Sequence, residues 1–260
     1  MSKRVNIVVP IYKETLDNYE LISLKQLFKI LGKYPVTIVH PKKVSLYFLE
    51  KHGFRFSSQC FDDEYFDGVF GYNKLTLSSE FYLAFKSYDF ILIYQTDAYV
   101  FRDDLIQWCE KGYDYVGSPW MARPQTQFRK SLLKLKSIFY KIFNKGPKDS
   151  EAYFKVGNGG FSLRKTKVFI ELCDKYKKHI ADKINKAPDD FVAEDVFWSL
   201  RIPDKADRLN IPDYKEALAF GFDRRPHIAY KANNSELPFG VHGINRKNRI
   251  KFYGKFIENL

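Results

Sequence analysis

Apolar positions along the chain follow two alternating patterns. Residues 5–10 (VNIVVP) and 88–94 (YDFILIY) are continuous apolar runs, the signature of short strands covered on both faces. Residues 16–31 instead place Leu21, Leu24, Leu27, Phe28 and Leu31 at the spacing of one helix face, with Gly32 where the helix would stop. Residues 36–39 read as a second strand, 44–51 as a short helix and 73–85 as a longer one. Strands alternating with helices predict an α/β fold built on a mostly parallel sheet. Neither an internal repeat nor a linker divides the 260 residues, which predicts a single domain over 1–260.

One region breaks the rhythm. Residues 121–155 separate YVGSPW (115–120) from VGNGG (156–160) and read as an insertion. On a helical wheel Phe128, Leu132, Leu135, Phe139, Ile142 and Phe143 share one side, with Lys130, Lys134, Lys141 and Lys145 on the other. An interfacial membrane helix has this pattern, and so does a helix packed on its own protein with a solvated basic face.

Charge sharpens the picture. The net charge is +12, and residues 128–145 (+6) and the basic tail 244–260 (+4) carry most of it. A uniformly basic surface suggests nucleic acid; two local patches suggest a partner touching one part of the molecule, such as an anionic membrane surface, and no nucleic-acid partner is expected. No apolar run nears the ~20 residues of a membrane span. Cys60, Cys109 and Cys173 form no CxxC pair, as in a reduced compartment. Residues 1–4 (MSKR) lead into the first strand without an apolar leader. The expected location is cytoplasmic, with peripheral contact at the inner face of the membrane.

Four constellations could carry chemistry, and each has a plainer reading. Gln95-Thr96-Asp97 follows the strongest strand, where open α/β sheets bind ligands; the carboxylate could hold a divalent cation or make an Asx-turn. Gly157-Asn158-Gly159-Gly160 brings backbone close to a ligand, or makes a tight turn. Glu194-Asp195 opens an apolar helical run, as a general base or as acids complementing a helix dipole. His242 stands between small residues, as a metal ligand or a structural histidine.

In this order, with flanks YQTDA, DYVGSPW, GNGGFSLR and EDVFWS, the motifs resemble the GT-A class of nucleotide-sugar glycosyltransferases, and within it a bacterial family of GT-A-like enzymes. The resemblance runs from Val5 to about Gly243. It implies a Rossmann-type mixed sheet with helices on both faces and a metal-assisted hexosyltransferase. Such an enzyme moves a hexose-type sugar from a nucleoside diphosphate sugar, by default a UDP-sugar, to a hydroxyl of a glycan or lipid-linked acceptor, as in polysaccharide biosynthesis. Asp97 and His242 would bind Mn²⁺ or Mg²⁺. Tyr12, Asn73, Lys74, Gln95, Gly159 and Gly160 would meet the donor, and Trp120 and Asn158 the acceptor. Asp195 would deprotonate the acceptor hydroxyl in an inverting displacement, with Glu194 positioning a sugar hydroxyl or exchanging that role; a retaining route needs no base there. One position departs from the class: Gln95 replaces the first Asp of the DxD motif, where an amide can still hydrogen-bond ribose. The alternatives are a sugar-nucleotide-binding protein without catalysis, a nucleotidyltransferase releasing pyrophosphate, and a nucleic-acid-binding module using the basic patches.

Overall fold

The run at residues 5–10 forms β1 (Val5–Pro10), every residue of which is buried. The computed structural model describes residues 4–122, 152–185 and 193–260. The stretch read as a basic amphipathic helix, 128–145, lies outside them. Beside β1 lie β2 (Val36–Pro41) and β3 (Ser57–Phe61) on one flank and β4 (Phe90–Tyr94) on the other. With β6 (Tyr115–Val116) and β9 (Phe161–Lys165) they make a six-stranded sheet in the order β3-β2-β1-β4-β9-β6. The strands β3, β2, β1 and β4 pair in parallel; β9 runs antiparallel to β4 and β6 antiparallel to β9. The mostly parallel mixed sheet is as expected.

Because side chains alternate across a strand, this sheet has a core on each face. Val5, Ile7 and Val9 pack with Phe90, Leu92 and Tyr94 against Leu24, Leu27 and Leu31 of the first helix, Asn18–Leu31. Val8, Ile91 and Ile93 face the other way, onto Phe81 and onto Phe169 and Leu172 of the helix Thr166–Lys175. The first helix starts at a capping box, in which Asp17 accepts from the Glu20 amide and Glu20 from the Asp17 amide. The helix expected over 73–85 is two helices, Gly68–Thr76 and Ser79–Leu83, divided where Ser78 caps the second. The strand β3 carried no apolar run and was not expected; four of its five residues are only partly buried or exposed.

Two smaller sheets lie alongside. In one, β10 (Gly221–Phe222), β11 (Gly240–His242) and β5 (Ala98–Val100) are joined, β11 antiparallel to β5. The other pairs β7 (Ser118–Pro119) with β8 (Val156–Gly157). Among the described residues no helix is long and apolar enough to cross a membrane.

Candidate functional site

The chain winds outward from β1 to β2 and β3, then returns to place β4 on the opposite side of β1. Such a reversal opens a crevice beyond the carboxyl ends of the two strands, where open α/β sheets bind ligands. Here those ends are Tyr12 and Gln95-Thr96-Asp97. Since β9 runs the other way, its start arrives at the same place: Tyr94 pairs with Phe161, and the Gln95 amide donates to the Gly160 carbonyl at 2.8 Å. The β5–β11 pairing sets His242 opposite Ala98, and the Asp97 carbonyl accepts from the amides of Gly243 and Ile244. Three of the four sequence constellations thus meet at one edge.

Their side chains converge. His242 Nε2 lies 3.0 Å from Asp97 Oδ1 and 3.0 Å from Gln95 Oε1. On the far side of the ring, Nδ1 is 3.4 Å from Asp223 Oδ1. Arg249 Nη1 donates to Asp223 at 2.5 Å and to the His242 carbonyl at 2.8 Å. Burial opposes charge on the imidazole, but the carboxylates of Asp97 and Asp223 prevail and hold its pKa up to about 10. Burial likewise opposes ionisation of Asp97, yet His242, Arg246 and Arg249 hold its carboxyl below the ordinary range. Asp223 behaves in the same way, pulled down to about 2 by His242 and Arg249. Gly160 abuts this cluster so closely that a Cβ there would lie 2.2 Å from His242 Nε2 and 2.6 Å from Gln95 Oε1. The backbone at 160 has no room for a side chain while the cluster stands as it does.

The glycine loop makes a second junction. Asp195 accepts from the Asn158 amide at 3.1 Å and from its own neighbour Val196 at 2.8 Å, with the Gly159 amide also bonded to it. Burial nonetheless pushes its carboxyl above the ordinary value, against those three amides and Arg164. Glu194 is buried at 4% exposure. Its Oε1 takes Arg164 Nη2 at 2.8 Å, while Oε2 has no partner among the described residues. Arg164 is fully buried, donating also to Tyr82 and Ser162, with its guanidinium over the Tyr115 and Phe169 rings. Asn158 adopts a left-handed backbone (φ 72) and accepts the Gly160 amide on its own Oδ1. This tightens the loop around Asp195.

The other residues expected at the site are placed as follows. Asn73 is buried, and its amide is spent internally: Nδ2 donates to the Val69 carbonyl and Oδ1 accepts the Glu194 amide, both at 2.5 Å. It braces the acidic pair from within the fold, at 4% exposure. Trp120 is 6% exposed, and its indole occupies the space over Gly157, packing the β7–β8 hairpin. Lys74 lies 5.1 Å above the Phe70 ring and 3.9 Å from Glu64. Tyr12 is 58% exposed, free to lie against a planar group. Sequence reasoning missed Arg164, Asp223 and Arg249, and also Tyr72, whose phenol hydrogen-bonds Gln95. Arg164 had a signal, since Ser162 and Arg164 alternate with the apolar Phe161 and Leu163 and so share one face of the strand.

Asp97 and Gln95 offer carboxylate and amide oxygens at one point beside a glycine and suit a divalent cation of the Mn²⁺ or Mg²⁺ kind; His242 would join them only where the cation displaces the Nε2 proton that Asp97 and Asp223 hold on its ring. Among the described residues no group of three His, Cys, Asp or Glu side chains is arranged as a metal site. Two such ligands and an amide leave coordination positions for ligand oxygens and water.

The fold has solved counterparts. The structure superposes on mouse xyloside xylosyltransferase 1 with a TM-score of 0.52 and 13% identity, covering 92% of this chain and 97% of that one. It superposes on the galactosyltransferase LgtC, solved with donor and acceptor sugar analogs, with a TM-score of 0.53 and 11% identity over 91% of this chain and 86% of that one. An active-site mutant of LgtC gives 0.55 and 15% over the same shares. The mixed α/β architecture is that of GT-A glycosyltransferases. No curated protein matches the sequence. The family model described as "Protein of unknown function (DUF5672)" matches residues 55–242, and the chain belongs to that family.

Proposed function

We propose that this protein is a nucleotide-sugar-dependent glycosyltransferase, moving a hexose-type sugar from a UDP-sugar to a hydroxyl of a glycan or lipid-linked acceptor. The observation that carries the reading is the meeting of Asp97, Gln95 and His242 at the switch point of the sheet, beside a glycine loop that holds Asp195. The xylosyl- and galactosyltransferase structures that share the fold support it.

In this reading Tyr12 lies against the nucleobase and Gln95 bonds the ribose. Asp97, His242 and the Gln95 amide oxygen would hold a divalent cation, which supplies positive charge against the donor diphosphate. Arg246 and Arg249 add charge from the chain itself, close enough to depress the Asp97 carboxyl. Asp223 lies 3.4 Å from Nδ1, on the other side of the ring from Nε2, and sets its negative charge there. Asp195 takes the proton of the acceptor hydroxyl while that oxygen bonds the anomeric carbon and the carbon–diphosphate oxygen bond breaks, so the configuration inverts. Its burial suits the role, since a carboxylate with a raised pKa is a stronger base. Glu194, clamped by Arg164, and Asn73 hold the Asp195 backbone and the glycine loop in place. Two basic segments, 128–145 and 244–260, would draw an anionic membrane carrying the acceptor.

Phosphorus NMR of UDP-sugars incubated with Mn²⁺ and a panel of glycan acceptors tests this. The expected product is UDP, released by the wild type and not by Asp97→Ala. Release of UMP and a sugar phosphate, or no Asp97-dependent cleavage of any donor, would overturn it.

A further inference from the structure

A cavity of about 640 Å³ lies one helical turn along from Asp195, lined among others by Phe154, Lys155, Trp198, Ser199, Arg208 and Tyr214. Its size is that of a small-ligand site. Trp198 is 1% exposed, and its Nε1 donor has no hydrogen-bond partner among the described residues; the Ser199 hydroxyl is in the same state. Buried donors without partners are rare unless water or a ligand satisfies them. Lys155 and Arg208 have no acidic partner among the described residues. The one acid in the lining, Asp213, spends Oδ1 on capping the helix Tyr214–Phe220. Phe154 is held in the left-handed region at φ 61, rare for a bulky residue, and stays 46% exposed with its ring 5.1 Å from that of Tyr214. Strained aromatic residues of this kind gather at ligand clamps.

From these features we infer that the cavity binds an anionic saccharide, a sugar carrying a carboxylate or a phosphate, and that this is the acceptor. Phe154 and Tyr214 offer an apolar wall to the C–H face of a sugar ring. Lys155 and Arg208 meet its charge. Val156, also in the lining, leads through Gly157 to Asn158, whose amide holds Asp195, so the cavity adjoins, along the chain, the loop that carries the base, although Asp195 is not in its lining. The word acceptor rests on the glycosyltransferase reading; the anionic saccharide site does not.

Calorimetric titrations with a glucuronate-containing trisaccharide, maltotriose and glucose 6-phosphate test the inference on the wild type, Lys155→Ala and Arg208→Ala. Both cations are exposed at the surface, and UDP with Mn²⁺ is titrated into every variant as a control. The expected result is that one of the charged probes binds about tenfold or more tighter than maltotriose, and that either substitution removes the advantage. Which charged probe wins tells carboxylate from phosphate. Equal binding of charged and neutral probes, no binding of any, or variants indistinguishable from wild type would overturn the site. UDP binding without charge discrimination refutes this inference alone; a charged saccharide bound without any UDP binding keeps the cavity and refutes the transferase.

Discussion

Glu194 and Asp195 are chemically similar neighbours with different surroundings. Glu194 is sealed against Arg164, whereas Asp195 is only half-buried and accepts backbone amides from the loop it serves. Asp195 is therefore the more accessible acid of the two, and for that reason takes the proton in the proposed mechanism. Substituting Asn at Asp195 should lower the transfer rate by about 10²–10⁴-fold with the fold intact. Because burial raises its carboxyl, the base is still protonated at a pH where an ordinary carboxylate is already charged. The wild-type rate should thus fall on the acid side at a pH above the usual carboxylate range, and a pH–rate profile reads this directly. An acid limb at the ordinary Asp value would remove Asp195 from the role. The sequence displayed the acidic pair, but not which member was accessible. That was decided by Arg164, which lies 30 residues away and becomes the partner of Glu194 only when β9 reaches the sheet.

Elements position these residues through simple geometry. The apolar runs of β1 and β4 were legible because strands buried on both faces have no polar face to interrupt them. The break between Gly68–Thr76 and Ser79–Leu83 was not, since apolar spacing continues across Leu77 and only the Ser78 cap reveals it. The direction of β9 was equally hidden: a five-residue strand reads the same parallel or antiparallel, yet its reversal is what delivers the glycine loop to the carboxyl end of β4. Gly160 tests that delivery. A methyl group there would crowd both His242 and Gln95. Gly160→Ala should weaken Mn²⁺-dependent UDP binding about tenfold or more, equivalent to at least ~1.4 kcal/mol, while circular dichroism shows the native fold. Wild-type affinity in this variant would mean that the cluster is not where the nucleotide binds.

On the scale of the whole molecule, two sheets cooperate. The large sheet carries Gln95 and Asp97 beyond β4, and the small one brings back His242, 147 residues after Gln95. No local pattern in the sequence announces that return; only the order of motifs suggested it. The same closure gives part of the basic tail a new place. Arg249 is tied to Asp223 and to the His242 carbonyl, and with Arg246 it biases Asp97, so two of the tail's cations belong to the candidate site. The remaining Lys247, Lys251 and Lys255 are exposed. The central claim is that this junction binds a nucleoside diphosphate together with a divalent cation. Calorimetric titration of UDP and GDP, each with and without Mn²⁺, into wild type and Asp97→Ala tests it most directly. The account predicts that one nucleotide, by expectation UDP, binds only with metal and that the substitution abolishes binding. Equal binding without metal, or undiminished binding to Asp97→Ala, would contradict it.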